Sequence, residues 1–381
     1  MTAKTSRADV VVVGAGIIGL ALAWRLQEAG LATVVLEAGR AGGGTSSATF
    51  AWINATSKTG EEAYHRLNAG GVGAWHALAH EHGAETLGLC GRGSLQWTTR
   101  KETAFYTALQ ADRAVLQGFD YPAEWMDRIA IRATVPAFED LPPDAEGLWA
   151  PADRWLEVDR FLAVARERFF AAGGVLLEED PVLGRDDDGR VRTAKGAIAA
   201  ERVVVAAGTA STEVLRRLGH PGLPAKAVPG FLVETPPTPL GERLDAVLWS
   251  PDPAEIHIRP TAAGGLLIGA DDLDAVVGAG GDADAVQGAK QELLARAVRW
   301  FPRLPQVALA NELGWRIGHR PMPRDGRSIV GPLAADPSVF VAVTHSGVTL
   351  APYLAVLLTA WLASGRRPKP LASFGPERFG L

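Results

Sequence analysis

Apolar residues along the chain come in two rhythms. One is a short unbroken run that stops at or near a glycine: Val10 to Val13 stop at Gly14, Val203 to Ala207 stop at Gly208, and Val339 to Val343 lead towards Gly347. A run that is apolar at every position has no face to give to water, so it predicts a strand covered on both sides, as in a parallel sheet. The other rhythm recurs every three to four positions and predicts helices. It begins at Leu20, occupies 62–82 with Leu67, Trp75, Leu78 and Ala79 on one face, recurs over 102–118, opens again at Val158 and closes at Gly173-Gly174, and returns after Thr344. Gly30 stops the first helix, and the strand Thr33 to Leu36 ends on Glu37. From Gly93 the pattern turns to a strand, and Pro122, Pro136, Pro142, Pro143 and Pro151 then interrupt it. Residues 226–318 carry short strands over 231–234, 255–259 and 265–269, and Asp186 to Gly189 is a hairpin turn.

The junction of the first strand and the first helix carries chemistry. Gly14-Ala15-Gly16-Ile17-Ile18-Gly19 is a Gly-x-Gly-x-x-Gly turn between a strand and a helix. Gly14 permits the tight turn, Gly16 lets the backbone approach a pyrophosphate, and Gly19 lets helix and strand pack closely. The helix N-terminus turns free N–H groups and the positive dipole end towards the phosphates. Glu37, 18 residues beyond Gly19, is placed to accept hydrogen bonds from a ribose diol. Strand, glycines, helix, strand and acid in register predict a dinucleotide site. After Glu37, Ala38 to Ala55 is dense in glycine and hydroxyl residues and also carries Phe50, Trp52 and Ile53; it reads as a ligand-contacting loop, the alternative being a flexible surface loop. Val276 to Ala283 imitates a second fingerprint, but Ala283 stands at the third glycine position and acids crowd the loop, so it reads as solvated. A nicotinamide site is therefore not expected.

Composition narrows the function further. A chain of 381 residues has room for two domains, and its net charge of −5 offers nothing to a nucleic acid or an anionic membrane. Cys90 is the single cysteine, so an intramolecular disulfide or a multi-cysteine metal site is excluded. Four histidines on the second helix (His65, His76, His80, His82) lack an accompanying acid motif and read as a solvated face rather than a metal site. Met1 to Arg7 lead directly into the first strand, and the apolar stretch Tyr353 to Ala363 is too short to span a bilayer, so the expectation is a cytoplasmic protein with no membrane partner.

With Gly14-x-Gly16-x-x-Gly19, Glu37, the Thr45-Ser46 loop, Val203 to Gly208, Arg320-Pro321 with Asp325-Gly326, Ile329-x-Gly331 and Gly347 to Pro352 assembled, the chain resembles the D-amino-acid oxidase superfamily of FAD enzymes, in particular its glycine oxidase and sarcosine oxidase-like members. The resemblance implies an α/β fold: a Rossmann-type FAD-binding domain over 1–90, 151–225 and 319–381, with an interleaved α+β substrate domain, built on a mainly antiparallel sheet, over 91–150 and 226–318. It implies that Glu37, followed by Ala38 and Arg40, holds the adenosine ribose, and that Thr45, Ser46, Phe50, Ala51 and Trp52 line pyrophosphate and flavin. Val182 meets the adenine through its backbone, and Ala207 and Gly208 close the neighbouring strand. His345 and the helix opening at Gly347, Val348, Thr349 and Leu350 point at the flavin N1–C2=O edge, and Arg320 grips the substrate carboxylate. The alternative for Arg320 is an interdomain ion pair.

Two departures bear on the substrate. Where amino-acid oxidases have a Tyr-Ile-x-Pro-like strand, this chain reads His257-Ile258-Arg259-Pro260, and only Ser346 separates His345 from Gly347. His257 and Arg259 share a strand face by alternation, and that face is either the substrate side of the flavin or solvent. The reading is a flavoenzyme that oxidises the C–N bond of an amino acid or N-alkyl amino acid with non-covalent FAD, the imine hydrolysing off the enzyme. Its electrons go to O2 or an electron carrier, and the chain stands alone, as a homo-oligomer, or as the FAD-binding subunit of a heteromeric amine or opine dehydrogenase. Cys90 lies away from the C-terminal region where sarcosine oxidase-like members attach their flavin.

Overall fold

The computed structural model describes residues 6–138, 141–251, 254–278, 282–304 and 312–381. Its first sheet has a parallel core of β9 (Val175–Leu177), β2 (Thr33–Leu36), β1 (Arg7–Val13), β12 (Ala197–Val205) and β19 (Val339–Val343) in that order. Strand β18 (Ile329–Pro332) adds antiparallel to β19, and the hairpin β10 (Val182–Arg185) and β11 (Val191–Thr193) adds to the start of β12. The valine runs are explained by the two faces. Val10, Val12, Val204 and Phe340 enter one core cluster, and Val11, Val13, Val203, Val205 and Val341 enter another on the opposite face. Each such burial contributes about 1.5–3 kcal/mol, so neither face tolerates a polar residue.

The second sheet runs β17 (Gly314–Pro323), β13 (Ala225–Glu234), β16 (Leu266–Gly269), β15 (Ile256–Pro260), β14 (Val247–Ser250), β5 (Ser94–Thr99), β7 (Ala145–Ala150) and β6 (Glu124–Asp127). Every pairing in it is antiparallel except β14 with β5. One expected boundary moves. The break at 318/319 cuts through β17, so Arg320 and Pro321 belong to the second sheet, paired opposite Val228 and Ala227. A third small sheet joins β3 (Trp52–Ile53), β8 (Arg154–Leu156) and β4 (Leu89–Cys90).

The helices are Ile17–Glu28, Glu62–His82, Thr103–Gly118 and Val158–Ala171 in the first half, with Asp271–Val277, Ala283–Trp300 and Gly347–Ser364 among those that follow. The first starts at Ile17 rather than Leu20, because Gly19 lies inside it, packed on the turn. The last is longer than its apolar stretch suggested. By length and composition it could cross a membrane, but here Leu350, Leu354 and Leu358 are 0% exposed in the core cluster it shares with the first helix and with Glu62–His82. The solvated reading of the four histidines fails: His80 alone is exposed, His65 is buried against Phe119 and Tyr121, His76 bonds the Ala152 carbonyl, and His82 packs on Trp24. No group of three or more potential metal ligands occurs among the described residues. The predicted loop around Val276 to Ala283 is half helix: Val276 and Val277 end Asp271–Val277, Asp282 caps the next helix, and residues 279–281 lie outside the described residues.

Candidate active site

Two cavities meet at the seam between the sheets. The larger, of about 490 Å³, lies over the C-terminal ends of the parallel strands and is lined by Gly14, Gly16, Ile17, Ile18, Glu37, Ala38, Ser46, Val182, Ala207, Gly208 and Gly347. The other, of about 470 Å³, lies against the second sheet and is lined by Phe50, Ala51, Trp52, Lys58, Trp249, His257, Asp274 and Thr349. Thr45, Thr49, Arg320, His345 and Val348 line both.

The first cavity is built by the glycine turn. Gly14 has φ of 106°, a left-handed conformation, and a β-carbon there would stand 2.6 Å from the Ala206 carbonyl oxygen. The Ile17 N–H donates to Ser46 Oγ at 3.0 Å, which ties the helix entrance to the hydroxyl-rich loop. Glu37 accepts from the Ala15 N–H at 2.8 Å and from the Gly39 N–H at 2.9 Å, so its carboxylate is fixed at the cavity wall. Val182 lines the wall with its carbonyl held by Arg217 at 3.1 Å. The entrance of the helix Gly347–Ser364 brings Gly347 and Val348 to the same space.

Four residues expected at the cofactor line neither cavity. Ala15 gives its N–H to Glu37 and its carbonyl to the Gly42 N–H, Gly19 packs on Gly14, and Arg40 is exposed on the turn after β2. Leu350 is fully buried in the core, where its helical position turns it away from either cavity.

The second cavity corrects a further expectation. His257 does reach the wall, with its ring edge-on to Phe50 at 4.5 Å and Nδ1 3.2 Å from Glu255. Arg259, two residues on, is 3% exposed and lines neither cavity. Its guanidinium donates to the Phe50 carbonyl at 2.6 Å and to Glu157 at 3.0 Å, so it is a prop beneath the Phe50 loop rather than a substrate contact. Ala51 follows at φ of 60°, an uncommon conformation for a residue with a β-carbon and one that clusters at binding sites.

Arg320 stands at the junction. Its Nη2 donates to Asp274 at 2.6 Å and to the Pro229 carbonyl at 3.1 Å, and its Nη1 lies 3.4 Å from Asp271. Burial pushes the Asp274 carboxyl up to about 6, against the pull of the Phe231 N–H and the Arg320 charge. His345 is driven down to about 3 by burial and by the Lys58 and Arg320 charges, so its imidazole is neutral at working pH. Asp271, Asp274, Glu255, Trp249 and Lys58 were not singled out from the sequence, where nothing local marks them.

The donor set fits a flavin dinucleotide. The first cavity offers a helix entrance, a glycine approach and an acid, Glu37, fixed at the wall, and at the second Trp52 Nε1 and Arg320 Nε are buried donors with no hydrogen bond among the described residues. Cys90 lines neither cavity, its thiol donating to the Gly88 carbonyl at 3.5 Å. FAD is therefore expected to be non-covalent: acid precipitation should leave the yellow colour in the supernatant, and colour kept in the washed pellet would contradict this.

Comparison with known proteins finds relatives over nearly the whole chain. A glycine oxidase of Geobacillus kaustophilus (strain HTA426) is 28% identical over 386 residues, 98% of each chain. An opine oxidase subunit of Agrobacterium tumefaciens (strain Ach5) is 23% identical, covering 97% of each. Among solved structures, glycine oxidase from Geobacillus kaustophilus superposes with a TM-score of 0.81 at 25% identity, over 97% of this chain and 98% of that one. L-proline dehydrogenase from P. horikoshii reaches the same TM-score at 20% identity, over 99% and 98%, a likeness of fold. The DAO family, described as FAD dependent oxidoreductase, matches residues 9–361. With the glycine turn, the fixed acid and the two-cavity seam in place, the chain belongs to this family of FAD-dependent oxidoreductases.

Proposed function

We propose that the enzyme oxidises the C–N bond of an amino acid or N-alkyl amino acid. The observation that carries this reading is Arg320, a guanidinium presented at the junction of the cofactor and substrate cavities. When bound, FAD supplies a hydride acceptor for the carbon that bears the amine. The protein's own part is placement. Arg320 grips the substrate carboxylate with its planar fork. Phe50, Trp52 and Trp249 wall off water around the reacting carbon, and neutral His345 adds no positive charge beside the amine. The Gly347–Ser364 helix entrance turns its positive end to the region where charge gathers on reduction. The names of the relatives, glycine oxidase above all, support the substrate class.

Whether electrons pass to O2 or to a carrier is read by stopped flow. Rapid reoxidation of the reduced enzyme by O2 marks an oxidase, and slow reoxidation a dehydrogenase. Likeness to an opine oxidase subunit, at 23% identity over 97% of the chain, gives weaker support to a second reading, a FAD-binding chain that acts only with a partner. An isolated chain that binds FAD yet is reduced by no amine would support it.

Asp274 sets a pH dependence. Its pKa is raised in the folded protein, from 3.8 to about 6, so the folded chain binds the extra proton between those values. The stability this group contributes is full in acid and is lost as pH rises through about 6. Below that pH the protonated acid releases Arg320. Binding of a small carboxylate inhibitor, followed by the flavin spectrum, should tighten as pH falls from about 7 to about 5, in the range set by this pKa. Binding that weakens over that range would contradict the Asp274–Arg320 competition.

A further inference from the structure

The substrate cavity holds two side chains that are cations by nature, Arg320 and Lys58, and they are not equivalent. The Arg320 charge is already met by Asp274 at 2.6 Å and Asp271 at 3.4 Å. Lys58 stands on the loop that follows Asn54, and among the described residues no carboxylate comes within ion-pairing distance of its amine. The remaining cavity acids have donors of their own. Asp112 accepts from Thr59 at 2.6 Å, and Glu255 accepts from Trp249 at 3.2 Å and sits 3.2 Å from His257 Nδ1.

Burial around the Lys58 amine lowers its pKa, with Arg320 adding to the effect and Asp271 and Asp153 opposing it. A desolvated ammonium without a close counter-charge is costly, and a ligand that brings an anion removes the cost. The cavity is where that ligand sits. We propose that Lys58 selects for a carboxylate on the substrate, by supplying the positive charge that Arg320, held by Asp274, has largely spent. This rests on the amino-acid reading above, and makes Lys58, rather than Arg320 alone, the residue that separates amino acids from simple amines.

The FAD-loaded variants Lys58→Met, Lys58→Gln and Lys58→Arg test it in two ways. Acetate is titrated anaerobically while the visible flavin band is followed, and KM is compared for an amino acid and for its decarboxylated amine. In Lys58→Met or Lys58→Gln, acetate should bind, and the amino acid should saturate, roughly 10- to 100-fold less well, the size of one lost hydrogen bond to a charged group. The amine should be unaffected, and Lys58→Arg should recover part of the loss. Unchanged acetate binding in the neutral variants would overturn the proposal, as would an equal loss on amino acid and amine. If no amino acid reduces the wild-type enzyme, the reaction assignment fails by itself, and the acetate titration still decides the role of Lys58.

Discussion

Gly19→Ala should yield a protein that no longer retains FAD. A β-carbon at Gly19 would stand 1.9 Å from the Gly14 carbonyl oxygen and 3.0 Å from its carbon, inside any real contact distance. The obstacle is backbone, so no rotamer change relieves it. Nor has Gly14 room to retreat, since it is packed so close to the Ala206–Ala207 backbone just beyond β12 that a β-carbon on it would stand 2.6 Å from the Ala206 carbonyl oxygen. The first helix must therefore lift off the strand, and with it go the Ile17 N–H to Ser46 and the Ala15 N–H to Glu37. Overpacking of this kind costs about 1–3 kcal/mol or more in stability, but the cavity's shape suffers further, because its wall is the displaced turn. Gly30→Ala is the control. Gly30 has φ of 82° with nothing within 4 Å of an added β-carbon, so only conformational strain of about 1–2 kcal/mol is expected there. The ratio of flavin to protein absorbance after purification reads both variants. A yellow Gly19→Ala protein with full FAD content would contradict the role given to the turn.

Arg320→Met should keep the fold and FAD while weakening amino-acid binding by about 2–5 kcal/mol, the range for removing one partner of a buried charge pair. Part of that cost is indirect. Asp274 is nearly enclosed and accepts from the Phe231 N–H at 2.6 Å, and without Arg320 its charge faces the incoming carboxylate uncompensated. Arg320→Lys should restore only a fraction, because an ammonium lacks the two-pronged geometry. Asp274→Asn should act in the opposite direction and tighten carboxylate binding, since the fork is then unshared. Decarboxylated amines should lose far less than amino acids from Arg320→Met. A KM for amino acids equal to wild type would refute the clamp, and melting or loss of FAD would reduce Arg320 to an ion pair that holds β17 to the helix Asp271–Val277.

The parts of this architecture that were legible in the sequence are those whose cause is local. Val10 to Val13 announce a strand buried on both faces because alternate residues must satisfy two opposite cores, and Gly14, Gly19 and Glu37 sit at fixed offsets from that strand. The substrate side was legible only in fragments. Alternation placed His257 and Arg259 on one face but said nothing of depth, and depth separates a cavity wall from a prop under Phe50. Leu350 follows the glycine of the last helix, yet helical geometry turns it into the core. Lys58, Asp271 and Asp274 have no motif around them. They meet because β17, the loop after β3 and the short helix Asp271–Val277 converge at the seam, a tertiary fact with no short-range signature. His65, on a helix face that reads as polar, is buried because Phe119 and Tyr121, just after the helix Thr103–Gly118, cover it.

The assignment of the reaction is tested most directly by mixing the FAD-loaded enzyme anaerobically with a panel of amino acids, N-alkyl amino acids, simple amines and 2-hydroxy acids, and following the visible flavin band. At least one amino acid or N-alkyl amino acid should bleach it, with one oxo acid released per flavin reduced and the matching ammonia or amine recovered. Bleaching by 2-hydroxy acids but by no compound carrying an amine would contradict the account.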